Sequence, residues 1–282
     1  MARAGKYQTQ PDLFIADASF VHTKELLPFM TTSWFSLSKS PRHTPIVHEH
    51  PNYKISVTSS SDRGIATVWD HDLLIFLFSQ LIHSHNRGEQ TSARIRFTGY
   101  ELFQFLHRSW VKAPAGKRNY EMLWAAIERL HHTHIRTNIK NHGDIESGDI
   151  QFYWLPHIEK MKFRGKSVGY EVWLDPKIYE WTQNLKNVLS LDPSYFDLKS
   201  GLDRFLYLWS RKSVGSKQGA IWEETFDLLH EKSGSTLAAP QFKQMLRKSI
   251  KNNSLPSYTI NELPTKKGSV LQVQRDIFHT PL

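Results

Sequence analysis

Residues 240–251 carry the most chemically suggestive pattern in the chain. Read as a helix, they place Phe242, Met245, Leu246 and Ile250 on one apolar stripe. The other face shows Gln241, Lys243, Gln244, Arg247, Lys248 and Lys251. Glutamine and arginine bond base edges bidentately and lysine suits phosphates, so this is the face of a helix that reads a DNA groove; a solvated basic surface helix is the plainer alternative. Lys266-Lys267-Gly268 follows as a basic turn where a hairpin would meet flanking phosphates. The turn before the helix, Ser233-Gly234-Ser235-Thr236, offers hydroxyls and amides to a phosphate. Arg211 and Lys212 end an earlier helix, where cations also suit the helix dipole. A second patch opens another helix at Lys117, Arg118, Asn119 and Tyr120, with Arg94, Arg96 and Arg108 adding charge nearby. For that half the alternative is a dimer face with the charges on its rim.

Other chemistry is less well supported. The pairs His48/His50, His83/His85 and His132/His134 have the spacing of the metal-binding histidines of rolling-circle nucleases. Their central residues, Glu49, Ser84 and Thr133, are not the bulky apolar type such a motif uses, and Tyr179 falls in the wrong element order for a nucleophile. A zinc site from His131, His132 and His134 competes with the simpler placement of histidines at a helix end. No glycine-rich loop runs into Lys-Ser or Lys-Thr, which excludes ATP hydrolysis by that route. The expectation is a binding protein, not an enzyme, with no catalytic residue, no metal and no cofactor.

Composition agrees with a folded, polyanion-binding chain. The 282 residues carry a formal charge of +9, are 39% hydrophobic and include nine Trp, enough for a substantial core. Without cysteine there is neither a disulfide nor a thiolate metal site. The first dozen residues are polar, and the longest apolar run, residues 73–81, falls far short of the ~20 residues of a membrane span. A cytoplasmic protein with no membrane partner is expected.

The elements that position these residues read as follows. Residues 1–28 form an arm, and 36–51, rich in Ser, His and Pro, a loop. Residues 53–59 and 65–69 suit two strands, and Asp70 is placed to cap the all-round apolar helix after it. A strand at 93–97, a helix capped by Thr98, and a helix from Lys117 to Leu130 with Met122, Leu123, Ala126 and Ile127 on its buried face come next, then strand-like pieces to Leu174. From Phe196 the order repeats: a helix with Leu202, Phe205, Leu206 and Leu208 buried, a short strand at Ile221-Trp222, a helix capped by Thr225, the helix from Pro240, and a hairpin. Helices followed by β-hairpins are the order of a winged helix. The fold class expected is α+β with two tandem winged-helix domains. Residues 29–184 are the first, for dimerisation and additional DNA contact, and 185–282 the second, the main DNA reader.

Several stretches together resemble the replication initiator protein A family of bacterial plasmids. They are Leu27-Pro-Phe-Met30, residues 63–75, residues 117–130 with Thr133 to Asn138, Asp192-Pro-Ser-Tyr-Phe-Asp-Leu198, Asp203-Arg-Phe-Leu-Tyr207, Lys232-Ser-Gly-Ser235, Phe242 and Leu255-Pro-Ser-Tyr258. The resemblance implies binding of repeated double-stranded sites at a plasmid origin, duplex opening, and recruitment of host initiator and helicase proteins. It also implies a homodimer in equilibrium with monomer and repression of the protein's own promoter. A transcriptional repressor of the same fold is the rival, although two unlike heads in one chain favour an initiator over a repressor that pairs identical heads by symmetry.

Overall fold

The computed structural model describes residues 13–16, 21–106, 116–139, 149–164, 166–266 and 268–276. Their architecture is mixed α+β. The first half begins with strands β1 (Phe14–Ile15) and β2 (Lys24–Leu26), the short helix α1 (Pro28–Thr31) and the hairpin β3 (Ile46–His50) and β4 (Tyr53–Ser59). Helix α2 (His71–Asn86), strand β5 (Arg94–Phe97), α3 (Gly99–Leu106) and α4 (Lys117–His132) follow. After them come β6 (Thr133–Thr137), β7 (Ile150–Tyr153), β8 (His157–Phe163), β9 (Lys166–Trp173) and α5 (Pro176–Gln183). The second half has β10 (Val188–Ser190), α6 (Gly201–Ser213), β11 (Ile221–Thr225), α7 (Phe226–Ser233), α8 (Ala239–Asn252), β12 (Tyr258–Thr265) and β13 (Gly268–Arg275).

Two sheets repeat one arrangement. β5, β9 and β8 lie in that order in one, as β11, β13 and β12 do in the other. Each is a strand between two helices, joined by a hairpin that follows the third helix. In the first half β6 and β7 are inserted before that hairpin, and they extend β3 and β4 into a separate four-stranded sheet. Its register, Ile46 beside Val57 beside Ile135 beside Phe152, stacks one buried row across all four strands.

Local chemistry explains the elements. Thr98 and Glu101 form a reciprocal capping box at α3: Glu101 N donates to Thr98 Oγ1 at 3.2 Å, and Thr98 N and Oγ1 donate to Glu101 Oε2 at 2.5 and 2.9 Å. Thr225 caps α7 and Asp175 caps α5. α2 is buried on nearly every side from His71 to Ile82, as an all-round apolar helix must be. Phe205, 4% exposed, sits in the middle of α6 within a continuous core that includes residues of both halves. Phe205→Ala is expected to destabilise by about 3–5 kcal/mol, read as a lower urea midpoint at unchanged slope.

Five local expectations are corrected. Residues 65–69 make no strand, because their amides bond separate partners: Ile65 to the Arg42 carbonyl and Ala66 to Thr133 Oγ1. Residues 46–50, expected as loop, are β3, since the Ile46/His48 alternation buries against β4. The arm is part of the fold where it is described: β1 joins β5, and β2 pairs with β10. Asp70 does not cap α2. Its carboxylate accepts from Thr67 N at 2.7 Å and from Arg129 at 2.6 and 2.7 Å, tying α2 to α4. Met122 lies 62% exposed, because α4 buries Leu123, Ile127 and Leu130 fully and turns Met122 away from that stripe.

The two halves are sewn together at buried polar points. Ser33 N and Thr32 Oγ1 both donate to the Lys232 carbonyl, at 2.8 and 2.7 Å, and Arg42 Nη1 donates to the Gly234 carbonyl at 2.5 Å. His48, buried in β3, has its Nε2 2.8 Å from the Ser33 carbonyl. Burial holds this histidine below its ordinary pKa despite the backbone carbonyls of Ser33 and Glu231. The folded ring is therefore neutral where an unfolded one, near pH 6.5, takes a proton. Stability from His48 is complete above about pH 6.5 and is lost as pH falls below it. The melting temperature should drop between about pH 7.5 and 5.5, and drop less in His48→Gln; equal drops would discount the residue.

Candidate nucleic-acid interface

Helix α8 carries Pro240 in its first turn and buries Phe242 and Leu246 against the second-half core. Gln241, Gln244, Lys248 and Lys251 are exposed on its outer face. Neither lysine is ion-paired among the described residues. Arg247 is exposed but positioned: its Nε lies 3.0 Å and its Nη2 2.9 Å from the two oxygens of Glu262 on β12. Its guanidinium also sits 5.8 Å over the Phe226 ring. The pairing raises Arg247 above its ordinary pKa, and the bonds from Arg247 and Ser269 hold Glu262 below its own. A guanidinium fixed on two sides meets an incoming acceptor with less conformational freedom to lose. Lys243 is partly covered and bridges to Asp227 at 2.7 Å, which makes it a helix-to-helix brace. Met245, expected on the buried stripe, is 44% exposed and lines a groove with Leu37 and Leu202. Lys266 stands exposed at the tip of the β12–β13 hairpin, and Lys267 lies outside the described residues.

In the first half the corresponding helix is α4. Lys117, Arg118 and Asn119 are exposed in its first turn, and Gly116 before them supplies no side-chain cap. Lys117 reaches Glu121 at 3.7 Å. Tyr120 is more anchored than a free contact residue: it meets Phe103 edge-on at 5.4 Å and lies so close to Gly99 that a Cβ there would come within 2.6 Å of its ring. Beside α4, the β8–β9 hairpin exposes Lys160 and Lys162, with Lys160 5.5 Å over Trp124. Lys266 holds the equivalent place in the second half.

Residues 24–260 match the family described as Replication initiator protein A. The chain belongs to the replication initiator protein A family. A relative in Wigglesworthia glossinidia brevipalpis named "Putative replication protein" is 31% identical over 220 residues, 76% of each chain. Among solved structures, domains 2 and 3 of RctB superpose with a TM-score of 0.60 at 13% identity, covering 87% of this chain and 95% of that one. A second structure of RctB domains 2–3 gives 0.54 at 14%, covering 86% and 94%. These likenesses are of fold, and they extend over both halves.

Several cations predicted to surround this family member's interface are spent elsewhere. Arg94 and Arg96 both grip buried Glu171, at 2.7 and 2.8 Å, and Arg94 also stacks 5.0 Å over Trp173. Burial works to raise Glu171, but the two guanidiniums outweigh it and leave the carboxylate below its usual pKa. Arg211 Nε donates to the Ser190 carbonyl at 2.9 Å. The turn at residues 233–236 is no open phosphate cradle. Gly234 N bonds Glu231 O, Ser235 N bonds Ser233 Oγ, and Ser233 Oγ donates to His230 O. Arg108 lies outside the described residues.

Lys160 and Lys162 are candidates that residue patterning passed over. Their two-residue spacing on a strand was visible, but only the pairing of β8 with β9 beside β5 makes that strand a hairpin flanking α4. Among the described residues no three His, Asp or Glu side chains converge as a metal set, and no helix is long and apolar enough to cross a membrane. His50 stacks on Tyr53 at 4.9 Å and His134 packs on Tyr153 at 5.1 Å.

Proposed function

We propose that this family member binds repeated double-stranded sites at a plasmid origin through two tandem winged-helix domains, residues 29–184 and 185–282, and acts as the replication initiator there. The observation that carries the reading is the repeated layout. In each half a third helix, α4 or α8, exposes Lys, Arg, Asn or Gln beside a hairpin that exposes lysine, Lys160 and Lys162 in the first half and Lys266 in the second. α8 is the base reader, with Gln241, Gln244 and Arg247 directed to base edges and Lys248, Lys251, Lys266 and Lys267 to phosphates. Lys117, Arg118, Asn119, Lys160 and Lys162 serve the first half. In this reading the protein is a cytoplasmic, non-enzymatic initiator without cofactor. It exchanges between homodimer and monomer, opens the adjacent duplex, recruits host initiator and helicase proteins, and represses its own promoter.

The test is a binding titration on the repeats beside the gene against scrambled duplex of equal length. Binding to the repeats should be at least ~10³-fold tighter. Affinity should also fall steeply with salt, as contacts to several phosphates release counterions. Equal affinity for both duplexes would remove α8 as a reader. Specific binding without opening of the adjacent duplex would leave a repressor.

A further inference from the structure

We infer that the free edge of strand β11 is a docking site for an extended, lysine-bearing segment of a partner protein, which adds to the sheet as a fourth strand. The sheet runs β11, β13, β12, and among the described residues β11 has no neighbour on its outer side. Arg275 N donates to the Ala220 carbonyl, and this sets the phase of the ladder. In an antiparallel pair bonding residues alternate, so Trp222 and Glu224 face β13, while Ile221 and Glu223 turn their N–H and C=O groups outward. An edge of this kind is normally blunted by lysine, proline or a bulge. β11 has none of these, and its register with β13 is unbroken over all five residues. It exposes Ile221 at 52% and Trp222 at 48%. Trp222 shares the core-side row with Val273 and Ile260, both buried, and is half open because no strand comes after it.

Charge identifies the occupant. In a chain of net +9, this strand carries Glu223 and Glu224 and no cation. Glu224 is matched by Lys232 at 3.0 Å, whereas among the described residues Glu223 meets only the neutral amide of Gln272 at 2.8 Å. A lysine opposite Glu223 completes the edge. A second copy of this chain fits poorly: antiparallel self-pairing centred on the strand sets Glu223 against Glu223. The site leaves the proposed DNA face free, since α8 packs beside β12 at the opposite edge of the sheet. Only that last point rests on the DNA reading.

The probe is an acetylated peptide alternating lysine and valine over seven residues, with a glutamate–valine counterpart, added to the ¹⁵N-labelled full chain without DNA. Saturable shifts of amides confined to the β11 region are expected, with the glutamate peptide about fivefold or more weaker. Glu223→Pro deletes one outward N–H that β13 does not use and should abolish binding while the melting temperature holds. If that variant does not fold, Glu223→Lys serves instead and should reverse the preference between peptides. No shift with either peptide, equal shifts with both, or a dimer in sedimentation that Glu223→Lys alters would each overturn the proposal. DNA affinity measured in parallel on Glu223→Lys is expected to be unchanged, so failure here and failure of the DNA reading are separable.

Discussion

Replacing Arg247 and Lys248 together with alanine is expected to weaken binding to the origin repeats by roughly a hundredfold or more, and to reduce discrimination against scrambled duplex. Arg247 is held by both oxygens of Glu262, so it presents a fixed guanidinium edge at the solvent face of α8, and in the proposed reading the exposed Lys248 one residue on is directed to a phosphate. The two effects can be told apart. Arg247→Ala alone should relax specificity at one base pair. Lys248→Ala should weaken all duplexes alike and lower the salt dependence. Glu262→Gln is an informative companion, because it loosens Arg247 without removing it and should cost specificity before it costs affinity. Unchanged affinity in the double variant, with circular dichroism matching the parent, would place the reading helix elsewhere.

A large effect on stability is expected at Arg204. Its Nη1 lies 2.5 Å from Asp72 Oδ1 on α2, its Nε 2.8 Å from the Leu198 carbonyl and its Nη2 3.1 Å from the Phe196 carbonyl. It is also stacked 5.1 Å over Tyr195. Burial alone would lower its pKa, but Asp72 and Tyr195 outweigh that and hold it above the ordinary value; burial raises Asp72. Removing one member leaves a buried charge with no counterpart. Arg204→Met or Asp72→Leu alone should each cost about 3–5 kcal/mol, while the double variant should recover most of the loss because two apolar side chains fill the site. Urea unfolding of the three variants checks this; additive losses in the double variant would mean that the pair is not coupled.

How much of this was legible in the sequence depends on how local the cause was. The caps at Thr98 and Thr225 and the buried α2 follow from neighbours in the chain, and all appear as expected. The strand β3 and the bracing roles of Arg94, Arg96 and Arg42 depend on segments far away, and composition alone read them as loop or as free charge. The same division holds in the candidate interface. The outer face of α8 was visible as a periodic pattern, and Phe242 and Leu246 are buried as that pattern required. The capture of Lys243 by Asp227 and of Arg247 by Glu262 was not visible, because it needs α7 and β12 in place. Met245 misled because a 3.6-residue stripe is wider than the face α8 buries.

The pairing of β2 with β10 bears on how the chain is made. Lys24 Nζ donates to Ser190 Oγ across 166 residues, and Leu26, Glu25 and Lys24 match Val188, Leu189 and Ser190. During synthesis, residues 24–26 leave the ribosome early and must wait, with their strand edge unmet, until residue 190 emerges. At ~5–20 residues per second that delay is on the order of ten seconds or more. Closing so long a loop is also a slow step in refolding. Strand β2, made well before its partner, is thus among the last elements to settle, and occupancy of that edge by a chaperone would be a matter of timing during translation.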